Sequence, residues 1–252
     1  MMKAEYPTPA LAPELKKLWG LAFGDSRETV DAFFDTGYAP DRCRCISDGD
    51  TVAAALYWLD CSYEDGKLAY LYAVATHPDY RGRGLCRILM EDTHRVLESR
   101  GYVGAVLHPA DDSLRQMYGK LGYRDFGGLE EFYCTAGEPV PVRRLDADAY
   151  GAARRGLLPA GGIYQEGENL SWLASYAFFY AGDGFLLAAA EEGEGLTGLE
   201  LLGNRDAAAG ILGSLGKKWG RFRTPGTDIP FGMFLPLKNN AKIPTYLGHA
   251  FD

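Results

Sequence analysis

The sequence lacks features that are typical of several protein classes, and the first of these is an excess of positive charge. Its 26 lysines and arginines are outnumbered by 34 aspartates and glutamates, which gives a formal net charge of −8. Nucleic acids and anionic membrane surfaces are bound by basic faces, so this balance argues against both as partners. With 47% apolar and 24% charged residues, the composition also excludes collagen-like, low-complexity and disordered chains.

Cysteine is scarce and irregularly spaced. The five cysteines form no Cys-x-x-Cys pair and all lie in the first 136 residues, at Cys43, Cys45, Cys61, Cys86 and Cys134. An odd, scattered set fits neither a disulfide framework nor a zinc site. We therefore expect reduced thiols, no metal cofactor and a cytoplasmic location.

Long hydrophobic runs are absent as well. The first seven residues contain no apolar segment, so no signal peptide is expected. Residues 172–190 are nearly all apolar, but Asp183 between two glycines divides them into pieces shorter than the roughly 20 residues of a spanning helix. A buried helix over 170–180 and a buried strand over 185–190 explain this stretch better.

Periodicity predicts an α+β arrangement for the first half of the chain. A helix starts at Pro13 and a second is capped by Asp25-Ser26, and Ser113 to Gln116 match a capping box for a later one. The predicted strands are 42–47, 51–60, 67–76, 103–107 and 129–134, and the predicted long helix is 85–100.

A Gly/Pro cluster at Thr135 to Pro141 predicts a linker between two domains, 1–136 and 137–252. The second half is predicted to contain strands at 140–145, 185–190, 199–202, 232–237 and 246–251, and helices at 148–156, 170–180 and 207–215. The run Leu121 to Phe126 is echoed by Leu247 to Phe251, which indicates a diverged repeat of one fold.

The turn Arg81-Gly82-Arg83-Gly84-Leu85-Cys86 carries the clearest chemical signal. It joins a predicted strand to a predicted helix, whose start exposes backbone N–H groups and the positive end of the helix dipole. Phosphate or pyrophosphate is the ligand that such a turn binds. The spacing is that of neither a Walker loop nor a dinucleotide fingerprint. Taken alone, the turn is equally consistent with glycines that serve close packing.

Two motifs in order resemble the GNAT superfamily of acyl-CoA-dependent N-acyltransferases. Val74 to Leu85 resembles its motif A, and Tyr118-Gly-Lys-Leu-Gly-Tyr123 resembles its motif B. The resemblance covers about residues 11–134 and extends to 140–252 only as a degenerate second copy. It implies a mixed, mostly antiparallel central sheet flanked by helices, followed by a smaller GNAT-like α/β domain.

The resemblance also implies roles for particular residues, with acetyl-CoA as the co-substrate. The main chain of Val74, Ala75 and Thr76 would bind the pantetheine arm as an added strand does, and Tyr118 would protonate the departing thiolate. The N–H groups of the turn would hold the pyrophosphate, through Arg81, Gly82, Arg83, Gly84, Leu85 and Cys86. Asp111 stands where the family often has an asparagine that contacts pantetheine.

Several of these residues have a second interpretation. Cys86 replaces the usual Gly or Ala and is either a tolerated small residue or a reactive thiol at a helix start. Asp111 is either a pantetheine contact or a helix cap, and Tyr118 either an acid or a core residue. The general base is left open: Tyr72 lies near the family's usual glutamate and is a poor base, and His108, Glu130 or a water chain are the alternatives.

The function implied is an N-acetyltransferase that acts on a primary amine of a small molecule or peptide. The alternatives are an acyl-CoA-binding sensor or scaffold without turnover, and a structural tandem domain that binds no CoA. The second half is expected to have lost cofactor binding and to supply a wall of the substrate cleft or the face of a homodimer. Its basic run, 217–223, is interpreted as a solvated strand edge. The alternative is that these residues bind the CoA 3′-phosphate or an acidic partner.

Overall fold

Helices and strands alternate in the first half as predicted. The computed structural model describes residues 2–64 and 66–251. Ser26 caps the second helix by accepting a hydrogen bond from the N–H of Thr29. The helices are α1 (Ala12–Phe23), α2 (Arg27–Thr36), α3 (Leu85–Ser99) and α4 (Asp112–Lys120), and the strands are β1 (Cys43–Asp48), β2 (Thr51–Tyr63), β3 (Gly66–Thr76), β4 (Gly104–Leu107) and β5 (Arg124–Thr135).

The described part of the second half adds seven strands and three α-helices. The strands are β6 (Arg143–Leu145), β7 (Tyr164–Gln165), β8 (Phe178–Gly182), β9 (Phe185–Glu192), β10 (Gly195–Gly203), β11 (Trp219–Pro225) and β12 (Ile229–Pro236). The helices are α5 (Ala147–Leu157), α6 (Glu168–Leu173) and α7 (Ala208–Ser214). Within the described residues no helix combines the length and apolar character needed to cross a bilayer.

All of these strands join one sheet, in which the two halves exchange their last strands. The order is β1-β2-β3-β4-β12-β5-β11-β10-β9-β8-β6, and β7 pairs with β2 off this path. Thus β12 lies between β4 and β5, and β5 lies between β12 and β11. Among the described strands only β3–β4 and β10–β11 pair in parallel, and each of these pairs is joined by a helix, α3 or α7. The sheet is therefore mostly antiparallel and flanked by helices, as predicted.

Helices cover both faces of the sheet because its strands bury both sets of side chains. Along β2, Tyr57 and Leu59 face α1 and α2, whereas Leu56 and Trp58 belong to the cluster formed with α3 and α4. The first face also carries α5 and α6 of the second half. Helix α7 packs on the opposite face, against β9 and β10. On the face that carries α1, α2, α5 and α6, a single apolar layer therefore extends under both halves.

Four local predictions are wrong. Helix α4 begins after Asp111, whose side chain accepts the Leu114 N–H, so Ser113 is not its cap. The predicted helix 170–180 stops at Leu173 and its last three residues belong to β8, because an apolar run alone does not distinguish a buried helix from a buried strand. The predicted strand 246–251 does not form, since within the described residues its only strand-like pairing is a single bridge at Tyr246. The fourth wrong prediction is the solvated strand edge over 217–223.

The basic run 217–223 is not a solvated edge, because most of it forms β11 in the interior of the sheet, between β5 and β10. Its cations have acidic neighbours on other strands of the sheet. Arg221 and Arg223 lie 3.8 and 3.5 Å from Glu131 of β5, and Lys217 lies 2.9 Å from Glu191. These pairs explain the charges without a phosphate or an acidic partner.

Candidate active site

The sheet opens between β3 and β4. Their parallel pairing covers only Leu68 to Tyr70 on β3 and Gly104 to Val106 on β4, although β3 continues to Thr76. A β-bulge lies just beyond, where the pairing of β3 with β2 shifts and Ala73 has φ +48°. A non-glycine residue in this region is strained, and such strain concentrates at functional sites. Beyond Tyr70, the edge of β3 that faces β4 has no strand partner among the described residues.

A cleft of about 600 Å³ passes through this opening. Tyr70 and Tyr72 line it from the α1–α2 face of the sheet, whereas Leu71, Leu107 and Tyr118 line it from the α3–α4 face. Side chains alternate between the faces of a strand, so a cleft lined by both sets crosses the sheet. Two compounds that enter from opposite faces can therefore meet inside it.

The second half supplies one wall of this cleft, through Trp172, Ser175, Tyr176 and Phe251. Sequence reasoning did not find these residues individually, nor Trp19, Asp25 and Glu28 on the opposite wall. They belong to no short motif and meet only because α6 and the carboxyl-terminal segment pack onto the first half. No local signal in the sequence identifies them.

A buried polar network holds the carboxyl-terminal segment in place. Arg154 and Glu200 form a two-point ion pair of 2.7 and 2.8 Å, and both are fully buried. Gln165 clamps the backbone of His249, with its amide nitrogen 2.7 Å from the carbonyl oxygen and its amide oxygen 2.9 Å from the N–H. These contacts fix Phe251, whose ring lies 5.4 Å from that of Tyr70 and 5.8 Å from that of Tyr72.

The glycine turn lies beside the α3–α4 end of the cleft and has the backbone of an anion site. Gly82 and Gly84 both have φ +75°, and a Cβ placed on either one meets no atom within 4 Å. Gly84 caps α3, and no side chain bonds to the first N–H groups of that helix. No capping side chain therefore competes with an anion for these donors at the positive end of the helix dipole.

The side chains of this turn support its shape. Arg81 Nε lies 3.4 Å from the carbonyl oxygen of Thr76, and an Arg83 nitrogen lies 2.9 Å from that of Asp79. The Arg83 guanidinium also covers the Tyr80 ring at 4.8 Å, and the Tyr80 hydroxyl donates to Asp48 at 3.0 Å. These contacts hold the turn in its conformation, so a bound anion would not have to order its N–H groups.

Tyr118 lies on α4 with only 6% of its surface exposed, and it lines the cleft. Its hydroxyl makes no hydrogen bond to any residue that the structure describes, and its ring meets that of Tyr123 edge-on at 5.8 Å. Burial, with a smaller contribution from Cys86, raises the pKa of Tyr118 above its ordinary value. The phenol therefore stays protonated at neutral pH and acts as a donor, not as a base.

Among the predicted bases, the structure brings only His108 and Tyr72 to the cleft. The His108 ring packs against Phe231 at 4.4 Å, and its Nδ1 lies 2.9 Å from the Phe231 carbonyl oxygen. A carbonyl only accepts, so Nδ1 carries the proton and Nε2 of the neutral ring carries the lone pair. Glu130 instead pairs with Arg205 at 2.6 Å, away from the residues that line the cleft.

Two predicted cofactor ligands have structural explanations. The Asp111 carboxylate caps α4 and is also bonded by the Ser113 hydroxyl at 2.7 Å. The N–H of Leu114 and this hydroxyl lower the pKa of Asp111. Cys86 is partly buried, and burial raises the pKa of its thiol, which disfavours a reactive thiolate. Ala75 is buried in its pairing with Ala55, whereas Val74 lines the cleft.

The turn between β10 and α7 in the second half also joins a strand to a helix, but it is closed. A Cβ on Gly203 would lie 2.1 Å from the Gly184 carbonyl oxygen. The Asn204 side chain accepts the N–H of Asp206 at 3.1 Å, so it occupies a donor that an anion would use. This turn has no counterpart to the open space at Gly82 and Gly84.

Comparisons with known proteins agree with this geometry. Residues 5–125 match the model of a family described as acetyltransferase (GNAT) domain. GCN5-related N-acetyltransferases from Kribbella flavida and Anabaena variabilis are 17% and 14% identical to the chain, with TM-scores of 0.68 and 0.71. The matches cover 93% and 94% of this chain and 70% and 73% of those chains.

A GCN5-related N-acetyltransferase from Sphaerobacter thermophilus is 15% identical, with a TM-score of 0.57 over 97% of this chain and 98% of that one. Identities this low show a shared fold and nothing about substrates. A search of curated protein sequences found no match.

Proposed function

We propose that the protein transfers the acetyl group of acetyl-CoA to a primary amine, since residues 5–125 match the model of the acetyltransferase (GNAT) domain family. The observation that carries the proposal is the cleft that crosses the sheet between β3 and β4, with Tyr118 in its lining. One substrate enters from the α3–α4 face, and the other from the α1–α2 face.

Acetyl-CoA binds on the α3–α4 face. Its pyrophosphate is held by N–H groups of the turn formed by Arg81, Gly82, Arg83, Gly84, Leu85 and Cys86, which meets open space at both glycines. Its pantetheine arm lies along the unpaired edge of β3 and bonds to the main chain near Val74 and Thr76, as an added strand does. The thioester then reaches the bulge at Ala73, where the sheet opens.

The reaction divides between the two ends of the cleft. The neutral amine nitrogen attacks the thioester carbonyl carbon, and the N–H proton that it must lose passes to Nε2 of His108. The C–S bond then breaks and the electron pair leaves on sulfur, which takes the proton of the Tyr118 hydroxyl. Proton exchange with solvent restores both side chains, and the products are the amide and free CoA thiol.

His108 and Tyr118 are suited to these opposite roles by their surroundings. His108 contacts Phe231, which belongs to the apolar layer on the α1–α2 face, so the base lies on the acceptor side. Tyr118 belongs to the cluster on the α3–α4 face, the donor side. Its raised pKa keeps its proton available when the thiolate forms.

Release of CoA thiol from acetyl-CoA in the presence of primary amines tests the proposal. Tyr118→Phe is expected to lower kcat by about a hundredfold, the usual size of an acid–base contribution, with the KM for acetyl-CoA unchanged. Tyr123→Phe is the matched control, since it removes a neighbouring buried hydroxyl, bonded to His94 at 2.8 Å, that does not line the cleft. An unchanged kcat in Tyr118→Phe would remove the acid role.

His108→Gln is expected to lower kcat by about a hundredfold with the KM for acetyl-CoA unchanged, because the glutamine amide is not a base and the attacking amine then lacks an acceptor for its proton. An unchanged kcat in His108→Gln would remove the base role. If acetyl-CoA stabilises the protein but no amine causes release of CoA thiol, an acyl-CoA-binding sensor or scaffold is favoured instead.

The second half is proposed to be a degenerate copy, with the boundary at 136/137. Two observations support this. The strands β4, β3, β2 and β1 on one side of the β12–β5 pair correspond in order to β11, β10, β9 and β8 on the other side. The turn at Gly203 is closed to an anion. Its contribution to function is the wall of the cleft that contains Trp172 and Phe251.

A further inference from the structure

The acceptor end of the cleft is walled by aromatic rings from both halves of the chain. Tyr72 lies at its centre, with ring centroids 5.4 Å from Trp19, 5.8 Å from Phe251 and 6.4 Å from Trp172. Tyr176 extends this wall, 5.3 Å from Trp172. Rings in this arrangement bind flat apolar groups by stacking and attract cations to their faces.

Two carboxylates lie on the same end, and no lysine or arginine lines any described part of the cleft. Asp25 is fixed by the indole N–H of Trp19, which donates to its Oδ2 at 2.7 Å. Glu28 lies in the first turn of α2. Its own backbone N–H and the Ser26 hydroxyl lower its pKa, so it is ionised at neutral pH. The entrance therefore attracts cations and repels anions.

We propose, on the basis of the function proposed above, that the acceptor is a cationic arylalkylamine: a primary amine on an aromatic body that carries no anionic group. The rings of Trp19, Tyr72 and Trp172 enclose the aromatic body. Asp25 and Glu28 draw the protonated amine to the entrance, and the amine loses its proton before it attacks the thioester. Polyamines lack the aromatic body, and zwitterionic amino acids carry a carboxylate that the entrance repels.

Three amines that differ in one feature each test the proposal, with CoA thiol release as the readout. 2-Phenylethylamine has the ring and a single positive charge, ethanolamine lacks the ring, and phenylalanine adds a carboxylate. We expect kcat/KM to be at least about tenfold higher for 2-phenylethylamine than for either of the others, because a buried ring removes a large apolar area from water. Equal or greater kcat/KM for ethanolamine, phenylalanine or spermidine would overturn it.

Charge variants test the entrance separately. Asp25→Asn keeps an oxygen for the Trp19 N–H, and Glu28→Gln keeps the side-chain size. Each is expected to raise the KM for 2-phenylethylamine by about two- to fivefold with kcat and the KM for acetyl-CoA unchanged, the effect shrinking in high salt. Glu14→Gln is the control, since Glu14 is the corresponding first-turn acid of α1 and does not line the cleft. No change in KM in either cleft variant would refute the role of the carboxylates.

The two proposals fail in different ways. If acetyl-CoA neither stabilises the protein nor releases thiol with any amine, the acetyltransferase proposal fails and the acceptor assignment with it. If thiol is released but another class of amine is preferred, only the arylalkylamine assignment fails.

Discussion

Gly84→Ala is the substitution that most directly tests the anion site. Gly84 has φ +75° and a Cβ there meets no protein atom within 4 Å, so the protein pays only for the left-handed backbone. That conformation costs an L-residue about 1–2 kcal/mol. For a chain of this size, such a loss lowers Tm by roughly 2–8 °C. The fold should therefore survive.

The larger effect is expected on the donor. At about 100 times its Kd, acetyl-CoA should stabilise the native protein by about 2.7 kcal/mol, a rise in Tm of roughly 5–11 °C. The added methyl group enters the space that the pyrophosphate needs. If the affinity falls about a hundredfold, the same concentration of acetyl-CoA adds only about 0.4 kcal/mol, or roughly 1 °C. Thermal unfolding with and without acetyl-CoA measures both quantities.

Gly101→Ala is the matched control at the other end of the same helix. Gly101 has φ +83° and equally open surroundings, so the cost in Tm should be similar while the acetyl-CoA shift stays complete. A full shift in Gly84→Ala would refute the phosphate site at this turn. Loss of the shift in both variants would mean that helix stability, and not the open turn, controls binding.

Three further predictions concern the framework of the site. Arg154→Met leaves Glu200 buried and unpaired, so we expect a loss of about 3–5 kcal/mol in the free energy of unfolding by urea. Burial lowers the pKa of His249 to about 4, against a smaller opposing effect of Glu200. As pH falls, the unfolded state therefore binds a proton before the folded state does. A contribution to the free energy of unfolding on the order of 3 kcal/mol, present above pH 6.5, should be lost as pH falls towards 4. An unchanged urea midpoint over this pH range would contradict the prediction. Gly104→Ala places a Cβ 2.2 Å from the Phe234 ring of β12, so it should cost about 1–3 kcal/mol if β12 lies beside β4; a neutral effect would argue against that pairing.

What the sequence determined by itself was local. The apolar spacing of α1, α2 and α3 and the turn at 81–86 depend on residues a few positions apart, and the start of each helix was predicted close to its position in the structure. Tyr118 was recognised because it lies in a short motif on one helix. Such signals survive in a single sequence because backbone geometry and short-range packing impose them directly.

The tertiary structure decided how the halves share a sheet and which residues line the cleft. Insertion of β12 between β4 and β5 places β11 inside the sheet, so a run of basic residues that resembled an edge is paired with acids on its neighbours. The lining of the cleft joins Trp19 to Trp172 and Phe251, residues separated by most of the chain. Contacts at such separations are selected by the packing of whole elements, and this packing leaves no periodic or short-range trace in the sequence.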